Sequence, residues 1–266
     1  MSVIENALSR SREQRSADEK AARRAPPALP IGPPPPPLQL QSVALDPAVL
    51  ERNCVLPQVT DHSALRAYKI LRTRLLQRLA PKNWRSVAVT STKAGEGKTL
   101  TTINLAVALS QDPNTRVCLV DFDLQRPAVA TQLGIQFERG LGEYLLGEAE
   151  AEQVMYDCGL PRLVIIPNKR TFDNSSDMLA SARAQELLRL IKAQMPDHIV
   201  LFDMPPLSSD DVLTFAPRVD GVLLVIAEGR TERTSLEKFK ELLAEMNIVG
   251  VVLNRSAERD DGLGYY

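Results

Sequence analysis

The sequence predicts an α/β fold, a doubly wound and mostly parallel sheet with helices on both faces. Three observations predict it. Six short runs are nearly continuous in apolar and β-branched residues: "SVAVTS" (86–91), "RVCLVD" (116–121), "RLVIIP" (162–167), "HIVLFD" (198–203), "GVLLVIA" (221–227) and "IVGVVLN" (248–254). Strands covered on both faces read this way, because neither face can tolerate polar side chains. Helical periodicity falls between the runs, and the alternation of β with α favours parallel strands joined by crossover helices.

The elements follow in order. Residues 1–44 read as a disordered, proline-rich region, with "APPALPIGPPPPPLQLQ" at its centre. Pro33 to Pro37 cannot donate backbone hydrogen bonds and favour an extended polyproline helix, either a stiff tether or a ligand for a proline-binding module. The folded domain is expected over 45–256. Its first helix is announced by Leu65, Tyr68, Leu71, Leu75 and Leu79 at spacings of three and four, with Arg66, Lys69 and Arg72 on an adjoining face. From Asp61 to Arg85 seven basic residues stand against one acid, a solvated face or a surface for a partner. Further helices are expected near Lys98–Ser110, Met178–Ala193 and Glu232–Met246. A flexible tail, 257–266, ends in "DDGLGYY".

Composition narrows the function classes. With 44% hydrophobic and 24% charged residues and a formal net charge of −1, the chain offers no global case for nucleic acid or membrane binding. No apolar run approaches the roughly 18 residues that span a bilayer, and the N-terminus lacks the apolar core of a secretion signal. Any membrane role is therefore expected to come through a partner. Cys54, Cys118 and Cys158 are scattered and odd in number, which fits a reduced, cytoplasmic chain and neither a disulfide framework nor a shared iron–sulfur cluster.

Chemistry is expected at the carboxyl ends of the strands, where open α/β sheets bind their ligands. The loop after Ser91 reads Thr92-Lys93-Ala94-Gly95-Glu96-Gly97-Lys98-Thr99-Leu100. Gly95 and Gly97 permit turns and close approaches that a β-carbon would block. Successive N–H groups would ring phosphates at the positive end of the helix that follows. Lys98 would reach the β/γ-phosphates and the Thr99 hydroxyl would ligate Mg²⁺, as in a P-loop NTPase. Thr92 stands where that pattern usually has glycine. Gly-Lys-Thr alone is too short to decide; the strand before it and the helix after it supply the context. A plain strand–turn–helix connection is the bland alternative.

The acids add to this. "VCLVDFDLQRP" ends one strand with Asp121 and Asp123, and "IVLFDMPP" ends another with Asp203. Three carboxylates at the carboxyl ends of two strands would converge on phosphate and metal, with Asp203 as the acid of the Mg²⁺ shell. Taken singly, each is also an ordinary turn or N-cap aspartate. A guanine-specific Asn-Lys-x-Asp is not matched, since Asn168 and Lys169 are followed by Thr171 where the acid would be. Asn254 ends the last strand, where ATPases with a loop of this kind put an adenine contact; a capping or turn asparagine is the alternative.

In these residues the chain resembles the bacterial tyrosine kinases of polysaccharide assembly, within the P-loop ATPases that position division sites and segregate plasmids. "DFDLQRP" is similar to that family's second aspartate motif and "FDMPP" to its Asp-x-Pro-Pro form of Walker B. "AYKILRTRLL", "DNSSDMLASARAQELL" and "PPLSSDDVLTFAPRVDGVLLVIAEGRT" resemble the flanking segments. The likeness covers about 45–255. It implies ATP and Mg²⁺ bound by Lys98 and Thr99, with Asp121, Asp123 and Asp203 around the metal. Transfer to tail tyrosines, here Tyr265 and Tyr266, is also implied, with a carboxylate such as Asp121 accepting the phenolic proton.

The resemblance further implies self-association, as a dimer or ring, and a membrane-anchored protein that sets polysaccharide chain length and activates the kinase through its cytoplasmic tail. The kinase would then be cytoplasmic and peripheral to the inner membrane, with no nucleic acid involved. The chain departs from the pattern in having only two tail tyrosines, in Arg66, Lys69 and Arg72 where the family's oligomer helix has Glu-x-x-Arg-x-x-Arg, and in Gln125 for an arginine. Lys93 occupies the place of a lysine that, in the site-positioning ATPases, reaches across a dimer to the partner's phosphates; the alternative is an exposed loop lysine. It keeps open a second function, a dimerising ATPase switch in the same machinery without kinase activity.

Overall fold

A computed structural model describes residues 40–59 and 61–256. The proline run and the tail tyrosines lie outside the described residues. The described residues all fall in one compact unit. Its strands are β1 (Gln41–Ser42), β2 (Ser86–Ser91), β3 (Arg116–Asp121), β4 (Tyr156–Asp157), β5 (Leu163–Ile166), β6 (His198–Asp203), β7 (Gly221–Ala227) and β8 (Ile248–Asn254). The helices are α1 (Pro47–Arg52), α2 (His62–Leu79), α3 (Lys98–Ser110), α4 (Val129–Leu133), α5 (Leu141–Leu145), α6 (Ser175–Ala180), α7 (Ala182–Gln194), α8 (Asp210–Phe215), α9 (Arg233–Lys238) and α10 (Lys240–Ala244).

One sheet runs in the order β1-β4-β5-β3-β6-β2-β7-β8. Every pairing is parallel except β4 with β5. The apolar runs alternate between two cores. Val87, Val89, Leu119, Leu201 and Leu223 pack on the face covered by α2 and α3. Ala88, Cys118, Val120, Phe202 and Leu224 pack on the face that holds α5, α7 and α8. Burial on both faces is why the strands read as unbroken hydrophobic runs. Burial also pushes the Cys118 thiol up to about 12, so it sits as a small hydrophobe.

Several expectations need correction. The chain joins the sheet at Gln41, earlier than the boundary expected at 45, because Gln41 and Ser42 pair with the edge strand β4 and Val43 N–H donates to Asp157 O at 2.9 Å. The helix expected over Met178–Ala193 starts at Ser175 and breaks at Ser181. There the backbone is extended (φ −60°, ψ 158°) and Oγ accepts from Ala184 N–H at 3.2 Å. Serine competes for backbone donors in this way and so favours a cap over a helix interior. The helix expected over Glu232–Met246 breaks at Phe239, which leaves helical geometry (φ −98°, ψ 7°) and packs against the core.

Register positions the acids. Asp121 pairs directly with Asp203 across β3 and β6, and Asp203 pairs with Val89 of β2 across the other side. Both aspartates thus sit on neighbouring strands, roughly 4.8 Å apart in backbone spacing, beside the strand that feeds the glycine loop. Phe122, Phe202 and Phe215 lock this rim from beneath, with ring centroids 4.7–5.1 Å apart.

Candidate active site

The loop from Thr92 to Gly97 joins β2 to α3, and its two glycines take positive φ, +83° at Gly95 and +91° at Gly97. At Gly97 the close approach is also real: a β-carbon there would stand 2.0 Å from Asn254 Nδ2. The N–H groups of Ala94, Gly95, Glu96 and Gly97 meet no acceptor among the described residues. A run of unpaired backbone donors at a helix N-terminus is a cradle for an anion.

Lys98 is buried at the first turn of α3. Its Nζ lies 2.6 Å from Asp123 Oδ2 and 3.7 Å from Asp203 Oδ2. Burial works against its charge, but Asp203, Asp123 and Asp121 outweigh that and hold its pKa above the ordinary lysine value. The Thr99 hydroxyl donates to Asp203 Oδ2 at 2.7 Å, and Thr102 Oγ1 lies 3.3 Å from Asp203 Oδ1. Asp203 is raised by burial, with Lys98 and the Thr99 hydrogen bond opposing the rise. Asp121 is raised well above the ordinary carboxyl range, by burial first and by Asp203 second. Its Oδ2 accepts from Ala128 and Val129 N–H at 3.1 and 3.0 Å, whereas its Oδ1 is buried with no partner. Asp123 Oδ1 accepts from Arg126 N–H at 2.9 Å.

The structure therefore brings together Lys98, Thr99, Asp121, Asp123 and Asp203. Leu100 follows on α3, half-buried, and Ala94 and Gly95 line the exposed lip. The Glu96 side chain is a brace within the loop: buried, it accepts from Thr92 N–H (2.7 Å), Thr92 Oγ1 (2.8 Å) and Lys93 N–H (3.0 Å). Thr231, after β7, donates its hydroxyl to the same carboxylate. Asn254 Nδ2 donates to Glu96 O at 2.9 Å. Lys93 pairs with Glu232 at 3.0 Å in the open, with side-chain exposures of 46% and 67%, and that ammonium holds the Glu232 carboxyl below its ordinary value. An exposed pair of this kind exchanges readily with solvent or another anion. Asn168 is buried and spent on backbone, accepting from Gly142 and Arg170 N–H at 3.2 and 3.0 Å.

Sequence reasoning missed three contributors. Thr102 lies four residues after Lys98 and so shares its helix face, a signal that was available. Thr231 and Arg255, whose guanidinium donates to Gly95 O at 3.1 Å, come from the ends of β7 and β8 and carry no local motif. Glu96→Ala is expected to cost about 1–3 kcal/mol, because it strands the Thr92 and Lys93 donors. Thermal denaturation should register this as a lower Tm.

The sequence profile of the CobQ/CobB/MinD/ParA nucleotide binding domain family matches residues 87–263. Tyrosine-protein kinase YwqD of Bacillus subtilis (strain 168) is 30% identical over 223 residues, covering 82% of this chain and 92% of that protein. The chain belongs to the bacterial tyrosine-kinase family. A second tyrosine-protein kinase, CpsD of Streptococcus agalactiae, is 29% identical over 203 residues, covering 75% of this chain and 86% of its own. The crystal structure of the VpsO kinase domain superposes with a TM-score of 0.63 at 29% identity, covering 73% of this chain and 96% of that one. The nucleotide-binding family and the kinase fold thus agree with the expected α/β P-loop architecture. Since these relatives are named kinases, the dimerising switch is the less favoured of the two expected functions.

Proposed function

We propose that this kinase transfers the γ-phosphoryl group of ATP to tyrosine hydroxyls, with Tyr265 and Tyr266 of its own tail among the acceptors. The observation that carries the reading is the meeting of Lys98 with Asp123 and Asp203 (2.6 and 3.7 Å) below a loop of unpaired N–H groups. In the nucleotide-bound state Lys98 would exchange these carboxylates for the β/γ-phosphates, while the N–H groups of Ala94 to Gly97 cradle the chain of phosphates. Asn254 is the candidate adenine contact through the Nδ2 hydrogen that Glu96 O leaves free, and Lys93, once freed from Glu232, would reach across a dimer to the partner's phosphates.

The donor set suits magnesium. Hydroxyl and carboxylate oxygens are what a hard cation takes, and the unpaired, buried Asp121 Oδ1 is an acceptor with its place unfilled. Thr99, Asp121 and Asp203 would hold Mg²⁺. Among the described residues no three acids or histidines cluster tightly enough to hold a metal by themselves, so phosphate oxygens and water would complete the shell. Bound there, Mg²⁺ would neutralise charge on the transferring phosphoryl group. The tyrosine oxygen forms the new bond to the γ-phosphorus as the bond to the bridging oxygen breaks and ADP departs. Asp121 would accept the phenolic proton.

Residues 41–256 would then be the catalytic domain, 257–266 the acceptor tail and the proline-rich region before Gln41 a tether. No helix among the described residues is long and apolar enough to cross a membrane. We place beside the kinase a membrane-anchored polysaccharide chain-length determinant whose cytoplasmic tail activates it, at the cytoplasmic side of the inner membrane. Self-association as a dimer or ring would carry tails to neighbouring sites, and no nucleic acid is called for.

Full-length protein incubated with γ-labelled ATP, with and without that cytoplasmic tail, tests the reading. Label should appear on tyrosine, rise with the tail present, and fall by most of its value in the Tyr265→Phe/Tyr266→Phe double variant. Free phosphate without labelled protein would instead support the ATPase switch.

A further inference from the structure

We infer that Arg255 is a positioning residue for the phosphate loop, acting through the carbonyl of Gly95 and without contact to the nucleotide. The inference rests on the nucleotide reading above and deepens it.

Three side chains from outside the loop hold its outer side. Arg255 Nη2 donates to Gly95 O at 3.1 Å, Asn254 Nδ2 donates to Glu96 O at 2.9 Å, and Thr231 donates to the Glu96 carboxylate. Thr231 is itself pinned, since its Oγ1 accepts from Ala227 N–H at 2.9 Å. A peptide group is planar, so fixing a carbonyl fixes the N–H on the opposite side of the same plane. The carbonyl of Gly95 shares its plane with the N–H of Glu96, and the carbonyl of Glu96 shares its plane with the N–H of Gly97. Those two N–H groups are among the ones that meet no acceptor among the described residues. Arg255 and Asn254 therefore aim two adjacent donors into one concavity before any phosphate arrives. Preorganised donors of this kind need no reorientation on binding, and that is where their advantage lies.

The backbone supports the assignment. Arg255 sits at φ +59°, the left-handed region that a long side chain rarely adopts. Its own N–H donates to Asn254 Oδ1 at 2.9 Å, so the Asn254 side chain is held at both ends. Local strain of this kind persists where surrounding contacts over-determine it. Here the left-handed turn sends consecutive residues, Asn254 and Arg255, onto consecutive loop carbonyls. An arginine serves because its planar fork reaches a carbonyl while keeping further donors in water. Arg255 is exposed, so the effect of removing it is modest in size and specific in kind.

The test measures dissociation constants on the full chain by competition against labelled ATP, using MgATP and magnesium tripolyphosphate, which has no base or sugar. Arg255→Ala is expected to weaken both ligands by the same factor, about three- to tenfold, the range of one hydrogen bond from a charged donor near solvent. Arg255→Lys, which keeps one donor, is expected to recover part of the loss. In kinase assays the alanine variant should show a raised KM for ATP with kcat little changed. Unchanged constants for both ligands would overturn the inference and leave the nucleotide reading standing. So would a loss confined to ATP, which would put Arg255 at the base or ribose, or a fall in kcat at constant KM, which would put it on the transferring group. A wild-type chain that binds neither ligand would overturn the nucleotide reading, and this inference with it.

Discussion

Replacing Lys98 by methionine is expected to reduce tyrosine phosphorylation by about 10²–10³-fold, the cost of removing one charged donor from the proposed phosphoryl-transfer site. A second effect accompanies it. Lys98 is the cation 2.6 Å from Asp123 and 3.7 Å from Asp203, all three largely buried. Removing one partner of a buried pair leaves the other charged and unsolvated, at about 3–5 kcal/mol. The ligand-free variant should therefore melt well below the wild type at neutral pH. The wild-type contribution is intact there: the lysine pKa is raised, so its stabilisation is full below the ordinary lysine value of 10.5 and is lost only as pH rises past the folded value. In the variant the deficit should shrink at acid pH, where Asp203, raised by its burial, takes up a proton. Circular dichroism at each pH separates loss of charge from loss of fold, and a variant that melted like the wild type would remove the buried ion pair from the account.

Asp121→Asn is expected to move activity and stability in opposite directions. Activity should fall by about 10²-fold or more, because the proposed proton acceptor and metal ligand are lost together. Stability of the ligand-free protein should rise by about 1–2 kcal/mol, since the asparagine oxygen can still accept from Ala128 and Val129 while the buried charge is gone. For a chain of this size that is about 2–4 °C in Tm per kcal/mol. The sign with pH is fixed by the raised pKa of Asp121. A carboxyl raised in the fold costs nothing below its ordinary value of 3.8 and destabilises progressively as pH climbs through the folded value. The advantage of the variant over the wild type should thus vanish near pH 4 and grow toward neutrality. A lower Tm for Asp121→Asn at pH 7 would contradict the reading of Asp121 as a group kept at a cost for function.

Much of the fold was legible in the sequence because the signals were strong and local. The runs at β2, β3, β6 and β7 are long enough, and buried enough on both faces, that apolar continuity marks them to the residue; β8 is as apolar but leaves Val251 and Leu253 exposed at the sheet edge. The run at 162–167 shrank to Leu163–Ile166, since Arg162 is left-handed (φ +61°) and Pro167 has no donor for the ladder. The two-residue strands β1 and β4 carry no periodicity, and they form only because the edge of the sheet is there to pair with. The short helices α4, α5 and α8 are set by what they pack against, which a single window of sequence does not contain.

The site divides in the same way. Lys98, Thr99, Asp121, Asp123 and Asp203 were legible because each stands at a fixed offset from a strand end. Parallel register then did the rest, by setting Asp121 opposite Asp203. The role of Glu96 was not legible. Its place in the loop suggested a ligand contact, and only the burial of its carboxylate against Thr92, Lys93 and Thr231 shows a brace. Its partner Thr231 is 135 residues away along the chain, and Arg255 is 160 residues from Gly95. Contacts over such separations leave no mark on local sequence pattern.

One titration tests the whole arrangement most directly. Calorimetry of the full chain with MgATP at several temperatures, repeated with Lys98→Met, asks whether a single triphosphate is gripped by the groups that meet at the ends of β2, β3 and β6. Saturable binding with one nucleotide per chain, dependent on magnesium and lost in the variant, is the predicted result. No saturable heat at any temperature, or equal binding by the variant, would contradict it.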